Sequence, residues 1–190
     1  MIARLRNARG FTLTELLVVV AIVGFMTLAL FTLQRQGQLA YLVGAARVEV
    51  QQNARIALDT MMSEMRSAVP VAGTTQIVTS RDAACNTGAP PNTGGGTSIG
   101  FTDQFSQTVT YQLNGTNLER TYAGVTEVLV GGVQQLRIWC YNATGGLDND
   151  LADIREVRIQ IRTQTERGAA AGSPGDQRAV AEARVRFRNI

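Results

Sequence analysis

The chain has no lysine and no histidine. That removes a Walker lysine, a Schiff-base lysine, a histidine-based catalytic triad and histidine metal ligands. Without the lysine, Gly94-Gly95-Gly96 reads as a flexible loop and not as a phosphate cradle. An enzyme would have to rely on a carboxylate pair, and no two acids are singled out by spacing. A membrane-anchored enzyme is therefore a remote reading. Cysteine is scarce too: Cys85 and Cys140 are the only two. In an oxidising compartment a lone pair suggests a disulfide, here between an irregular stretch and a strand. Proline is absent before Pro70, so nothing in the first third of the chain forbids a long helix.

What is present begins with charge. The formal net charge is +3 and the pI near 9.3. Arg4, Arg6 and Arg9 precede the first acid. Without them the 18 basic residues become 15, equal to the 15 acids. The basicity therefore belongs to the N-terminus and gives no overall case for a nucleic-acid partner. An apolar run from Leu16 to Leu33 follows, broken only by Thr27 and Thr32. As a helix it spans about 27 Å, close to the hydrocarbon core of a bilayer. It is too long for an ordinary signal-peptide core, and no A-x-A pattern follows it closely. The positive-inside bias keeps the N-terminus cytoplasmic and carries the rest across. Glu15 stands at the mouth of this helix. An acid at a membrane helix is costly and by default a functional-site hypothesis.

The segment Arg9-Gly10-Phe11-Thr12-Leu13-Thr14-Glu15-Leu16-Leu17-Val18 resembles the prepilin cleavage and methylation signature of type IV pilins and type II secretion pseudopilins. The match is close over roughly the first 25 residues, where glycine, aromatic, acid and apolar run all keep their spacing. The resemblance implies cleavage between Gly10 and Phe11 by a prepilin peptidase, with N-methylation of Phe11 by the same methyltransferase. It implies that Glu15 pairs with the N-terminal amine of a neighbouring subunit during assembly. An ammonium and a carboxylate in low dielectric attract strongly, and each relieves the burial cost of the other. The implied partners are other major and minor pilins, an inner-membrane assembly platform, and membrane lipid before assembly. The implied location is the bacterial inner membrane, single-pass with a periplasmic C-terminal domain, and then the pilus or pseudopilus.

Beyond the membrane run, Leu39, Val43, Ala46, Val50, Ala54, Ala57, Met61, Met65 and Ala68 recur in steps of three and four. One helix from about Phe11 to about Ala68 is predicted, roughly 85 Å long. Its first half is apolar all round and its second half amphipathic. Gly24 weakens it by about 1 kcal/mol relative to alanine. Many major pilins carry a proline at the position of Thr32; its absence hints at a minor subunit or pseudopilin.

Residues 70–98 are rich in glycine, threonine, proline and asparagine. They read as a long irregular connection holding a short strand near Gln76 to Thr79. From residue 99 onward the pattern is strands. Val109, Tyr111 and Leu113 alternate before the hairpin signal Asn114-Gly115, and Leu118 to Tyr122 returns. Val125 to Val130 and Val133 to Tyr141 flank Gly131-Gly132. Val157, Ile159 and Ile161 alternate, and a last strand turns Val185 and Phe187 inward. The predicted organisation is a leader at 1–10, a membrane helix at 11–33, its amphipathic continuation at 34–69, the connection, and a β domain at 99–190. The fold class is α+β, a long helix packed on antiparallel sheet. The strand order is diffusely similar to the larger minor pilins and J-type pseudopilins.

Three further features bear on function. Arg184, Arg186 and Arg188 share one face of the last strand, and Arg158 and Arg162 share a face of its expected neighbour. Such a patch suits phosphate, as a DNA-uptake subunit would need. The simpler account is a solvated face paired with acids of the next subunit, such as Glu156 or Glu182. Asp148, Asp150 and Asp153 form an oxygen-rich loop suited to calcium but without EF-hand spacing. Asn114-Gly115-Thr116 and Asn142-Ala143-Thr144 match the glycosylation sequon, which is chance in a bacterial chain. The sequence therefore points to a non-enzymatic minor type IV pilin that initiates or caps a filament. A J-type pseudopilin of type II secretion and a DNA-binding competence pilin are the alternatives.

Overall fold

The structure is a computed structural model, and it describes residues 10–166, 173 and 176–188. The first element is helix α1, Leu13–Ser67. Thr12 starts it, accepting the first helical bond from Leu16 N–H at 3.2 Å. Val69 before Pro70 stops it, because a residue preceding proline avoids helical dihedrals. The chain forms two compact units, Met1–Leu42 and Val43–Ile190.

In the first unit, α1 is long and apolar enough to cross a membrane by length and composition, and its most apolar stretch is not buried in protein. The two hydroxyls in that stretch are satisfied locally. Thr27 Oγ1 donates to the Val23 carbonyl and Thr32 Oγ1 to the Ala29 carbonyl, each at 2.7 Å. No polar side-chain donor is thus left for lipid to accommodate.

In the second unit, α1 packs through Val50, Ala54, Ala57, Leu58, Met61 and Met65. The buried stripe starts later than the periodicity suggests: Leu39 is exposed, and Val43 and Ala46 are only half-buried. Leu58 joins it from one residue off the predicted line. The helix packs on two antiparallel sheets instead of one. The first is a five-stranded meander of β1 (Val78–Arg81), β2 (Ser98–Thr102), β3 (Thr108–Asn114), β4 (Asn117–Tyr122) and β5 (Val125–Val130). The second holds β6 (Val133–Tyr141), β7 (Glu156–Gln164) and β8 (Arg178–Arg186). One apolar cluster joins Met61 and Met65 of α1 to Phe101 and Tyr111 of the first sheet and Ile138 and Ile159 of the second.

The change of sheet falls at Gly131-Gly132. Gly132 has φ +69°, and a Cβ there would lie 2.4 Å from the Gln164 carbonyl oxygen. Gln164 N–H donates to Gly132 C=O at 2.7 Å. Glycine lets the two backbones approach, so a junction of hairpin length passes between sheets. The β3–β4 hairpin turns one residue later than the Asn-Gly signal suggests. Asn114 pairs with Asn117, and Gly115 at φ +61° is the first of two loop residues. Glycine in that place is the II′ preference.

The connection at 70–98 is more ordered than its composition implies. β1 lies two residues beyond the predicted strand, and a 3-10 turn, Ala83–Asn86, follows it. Asp82 caps this turn, accepting from Ala84 N–H at 3.0 Å, and also takes Thr97 N–H and Oγ1 at 3.0 and 2.9 Å. The glycine run is packed and not loose. A Cβ on Gly95 would sit 2.9 Å from the Trp139 ring, and Gly96 exchanges two 2.8 Å backbone bonds with Ile138. Close approach, not flexibility, is what glycine supplies here.

Candidate functional site

Gly10 and Phe11 are exposed and precede the helix. Arg4, Arg6 and Arg9 lie outside the described residues. Thr12 is the helix N-cap and Glu15 its third residue, and they bond reciprocally. Glu15 N–H donates to Thr12 Oγ1 at 3.3 Å, and Thr12 N–H donates to Glu15 Oε2 at 3.2 Å. Thr12 Oγ1 also donates to Oε2 at 3.2 Å. This is a capping box. It changes how the acid is understood. In the first turn of a helix a carboxylate meets unpaired N–H groups and the positive end of the helix dipole. Part of its cost is thus met within the chain. Oε1 makes no hydrogen bond among the described residues, so Glu15 keeps one oxygen for an external cation. Thr12 was not among the sequence candidates, although Thr-x-x-Glu before an apolar run is itself a capping signature.

Two of the five arginines on the basic strand face are paired by acids of their own strands. Arg158 of β7 and Arg184 of β8 stand directly opposite. Like charges so placed are destabilising. Diagonal acids answer them: Arg158 pairs with Glu182, and Arg184 with Glu156. The pairing acids are those expected, but they come from the same chain and not from a neighbouring subunit. Arg184 also covers the Tyr141 ring, 4.7 Å from its centroid. Arg162, Arg186 and Arg188 are exposed and make no ion pair among the described residues. Both signs therefore stand on the β7–β8 ladder, with three arginines in excess.

Cys85 and Cys140 are joined as a disulfide, with Cα atoms 5.4 Å apart. Both are fully buried. The bond fastens the 3-10 turn to β6, the contact expected for the irregular stretch.

The aspartate loop is a brace. Asp148 Oδ1 accepts from the N–H groups of Asn149 and Asp150 at 2.7 and 2.9 Å, and Oδ2 from Asn142 Nδ2 at 3.0 Å. The Asp150 N–H, then the Asn142 amide, hold its carboxyl below the usual range. Asp150 Oδ1 accepts from Ala152 N–H at 3.0 Å. Among the described residues no three acids or cysteines are grouped to hold a metal ion.

A polar cluster absent from the sequence reading centres on Glu64 of α1. Tyr111 of β3 donates its hydroxyl to Glu64 Oε2 at 2.6 Å. Arg120, opposite Tyr111 on β4, brings Nη2 to 2.7 Å from Oε1. Its other nitrogen reaches Glu127 of β5 at 2.9 Å. The cluster clamps α1 to the middle of the five-stranded sheet. Nothing in the spacing of Glu64, Tyr111 and Arg120 announces it.

Comparison with known families adds one finding: the prokaryotic N-terminal methylation motif matches residues 5–31. No curated protein matches the chain. The matched segment covers the Gly10–Phe11 bond, the capping box and most of the apolar run. With one long N-terminal helix packed on antiparallel sheets behind it, the motif supports membership of the type IV pilin and pseudopilin family.

Proposed function

We propose that the chain is a structural minor subunit of a type IV pilus, made as a prepilin, cut after Gly10 and methylated on Phe11. The methylation motif carries the proposal, because it heads an apolar helix whose first-turn acid keeps one oxygen unpaired. Before assembly, α1 anchors the subunit in the inner membrane with Arg4, Arg6 and Arg9 on the cytoplasmic side. A prepilin peptidase and methyltransferase releases and modifies the Phe11 amine. The subunit then enters a filament of other pilins from an assembly platform. Glu15 Oε1 receives the ammonium of a neighbour, while Oε2 stays with Thr12. That pairing favours one axial register, since any other leaves both charges unpaired in low dielectric. The protein has a scaffolding role in filament initiation or capping and no catalytic one.

A J-type pseudopilin of type II secretion rests on the same motif. Deleting the gene and scoring pili and exoprotein release side by side separates the two. DNA uptake gains no support from the β7–β8 face, where Arg158 and Arg184 are already paired with Glu182 and Glu156. The direct test is Glu15→Leu. The variant should insert and be cleaved after Gly10, yet be missing from sheared filaments. Normal incorporation would remove the pairing from the account.

A further inference from the structure

Five arginines from three parts of the chain meet at one concavity of about 650 Å³: Arg66, Arg155, Arg184, Arg186 and Arg188. They are one third of the basic residues left when the leader arginines are set aside. Among the described residues no acidic side chain lines the concavity. Three elements bring them together. Arg66 lies in the last turn of α1. Arg155 immediately precedes β7, and its backbone is held on both sides: Arg155 N–H donates to Tyr141 C=O at 2.8 Å and Phe187 N–H to Arg155 C=O at 3.0 Å. Arg184 and Arg186 end β8, and Arg188 follows it.

Two of the five are partly occupied. Arg184 pairs with Glu156, and Arg66 sits where a cation complements the negative end of the helix. Arg155 is pre-aimed, since its Nη1 donates to the carbonyls of Ala152 and Ile154 at 2.6 and 3.1 Å. Its other nitrogens stay available. Arg186 and Arg188 have no ion-pair partner among the described residues. A concave cluster of one sign is repulsive when empty and is relieved by an anionic occupant.

We propose that this concavity is a docking site for an acidic peptide segment of another protein, whose carboxylates engage Arg155, Arg186 and Arg188. Charge complementarity identifies the chemistry, and shape selects the occupant. A stiff duplex needs a continuous basic strip, and the adjoining strand face alternates Glu156, Arg158, Glu182 and Arg184 instead. A single nucleic-acid strand needs aromatic faces for stacking. Phe187 is 4% exposed and the Tyr141 ring lies beneath Arg184, so neither is open to a base. Carboxylates on a flexible peptide meet separated guanidinium groups one at a time, each as a forked pair. The proposal does not depend on the filament reading.

The test uses the full chain in neutral detergent and a fluorescein-labelled hexaglutamate peptide, followed by anisotropy at low salt. Saturable binding that weakens as salt rises is expected. Arg186→Gln/Arg188→Gln should weaken it tenfold or more. Arg162→Glu, which changes net charge equally but lies outside the concavity, should weaken it less than twofold. Should the double variant misfold, Arg188→Gln alone, beyond the β8 ladder, should still lower affinity at least threefold. Absent binding, or equal losses in pocket and control variants, would overturn the site. Oligothymidylate displacing the peptide at lower concentration through the same arginines would overturn the peptide assignment. So would displacement by an equal concentration of inorganic phosphate.

Discussion

Replacing Glu64 by alanine strips one carboxylate from two partners of unequal standing. Tyr111 is fully buried, and its hydroxyl has Glu64 as its acceptor. Arg120 keeps Glu127 and the face of Tyr122, 4.9 Å from its guanidinium carbon. Its side chain is 17% exposed and that of Glu64 26%, so water softens this half of the loss. A hydrogen bond to a charged group contributes about 1.5–3 kcal/mol, and a buried hydroxyl left without an acceptor costs about 1–3. Discounting the arginine half, Glu64→Ala should destabilise by about 3 kcal/mol. Glu64→Gln keeps an acceptor for Tyr111 and should lose about 1–2 kcal/mol. Tyr111→Phe removes the donor, so adding it to Glu64→Ala should cost at least 1 kcal/mol less than the sum of the single losses. The assay is urea unfolding of the full chain in detergent, followed through Trp139, the only tryptophan. Additive single and double losses, or a Glu64→Ala loss below about 0.5 kcal/mol, would refute the clamp. The same pair makes a pH statement. Burial first, and then the Glu64 carboxylate, push the Tyr111 hydroxyl well above its ordinary 10.0. The unfolded chain therefore gives up this proton before the folded one. The stability is whole below pH 10 and is lost as pH rises toward the folded value. Tyr111→Phe should lack that part of the alkaline loss.

Two further expectations concern the disulfide and the helix N-cap. The disulfide spans a sequence separation of 55, so Cys85→Ser/Cys140→Ser should lower stability by about 4 kcal/mol in the chain-entropy account; unfolding midpoints unchanged by reductant would contradict it. Thr12→Val keeps the shape of the N-cap and removes its oxygen, which should cost about 1 kcal/mol. Amide exchange in the first turn should then quicken in Thr12→Val and not in Thr14→Val, and identical exchange in the two variants would dismiss the capping box.

The strands were legible where one face is buried and the other wet. Val157, Ile159 and Ile161 are buried and alternate with less buried polar neighbours along β7. β5 and β6 begin and end where their apolar runs do. β2 was illegible because four consecutive residues, Ile99 to Thr102, are buried, which erases the alternation. Gly100 inside it reads as a breaker. In fact a Cβ there would lie 2.3 Å from Ser80 Oγ and 3.0 Å from Thr110 Oγ1, so glycine makes room for hydroxyls of both flanking strands. The second sheet was hidden because Gly131-Gly132 has the local chemistry of a turn, and which sheet the next strand joins is a non-local matter. At the N-terminus, Gly10, Phe11 and Glu15 stand out by spacing, but the partner of Glu15 within its own chain is Thr12. Of the arginine concavity, Arg184, Arg186 and Arg188 were legible as one face of the last strand, and Arg66 and Arg155 were not. Arg66 and Arg155 are brought to the end of β8 by the packing of α1 and the course of β7, and no period links them.

The cap at Thr12 also decides where the chain stops being a helix. Gly10 and Phe11 lie outside the helix and are exposed, so the peptide bond between them keeps its N–H and C=O out of the helical ladder. A protease grips its substrate as open chain and not as a coil. Were the coil to begin one turn earlier, that bond would be wound into it and shielded. In the maturation proposed above, the threonine two places after the glycine acts as a ruler, holding that bond at a set distance from the apolar run. On that proposal, maturation and anchoring are separated by one hydroxyl group.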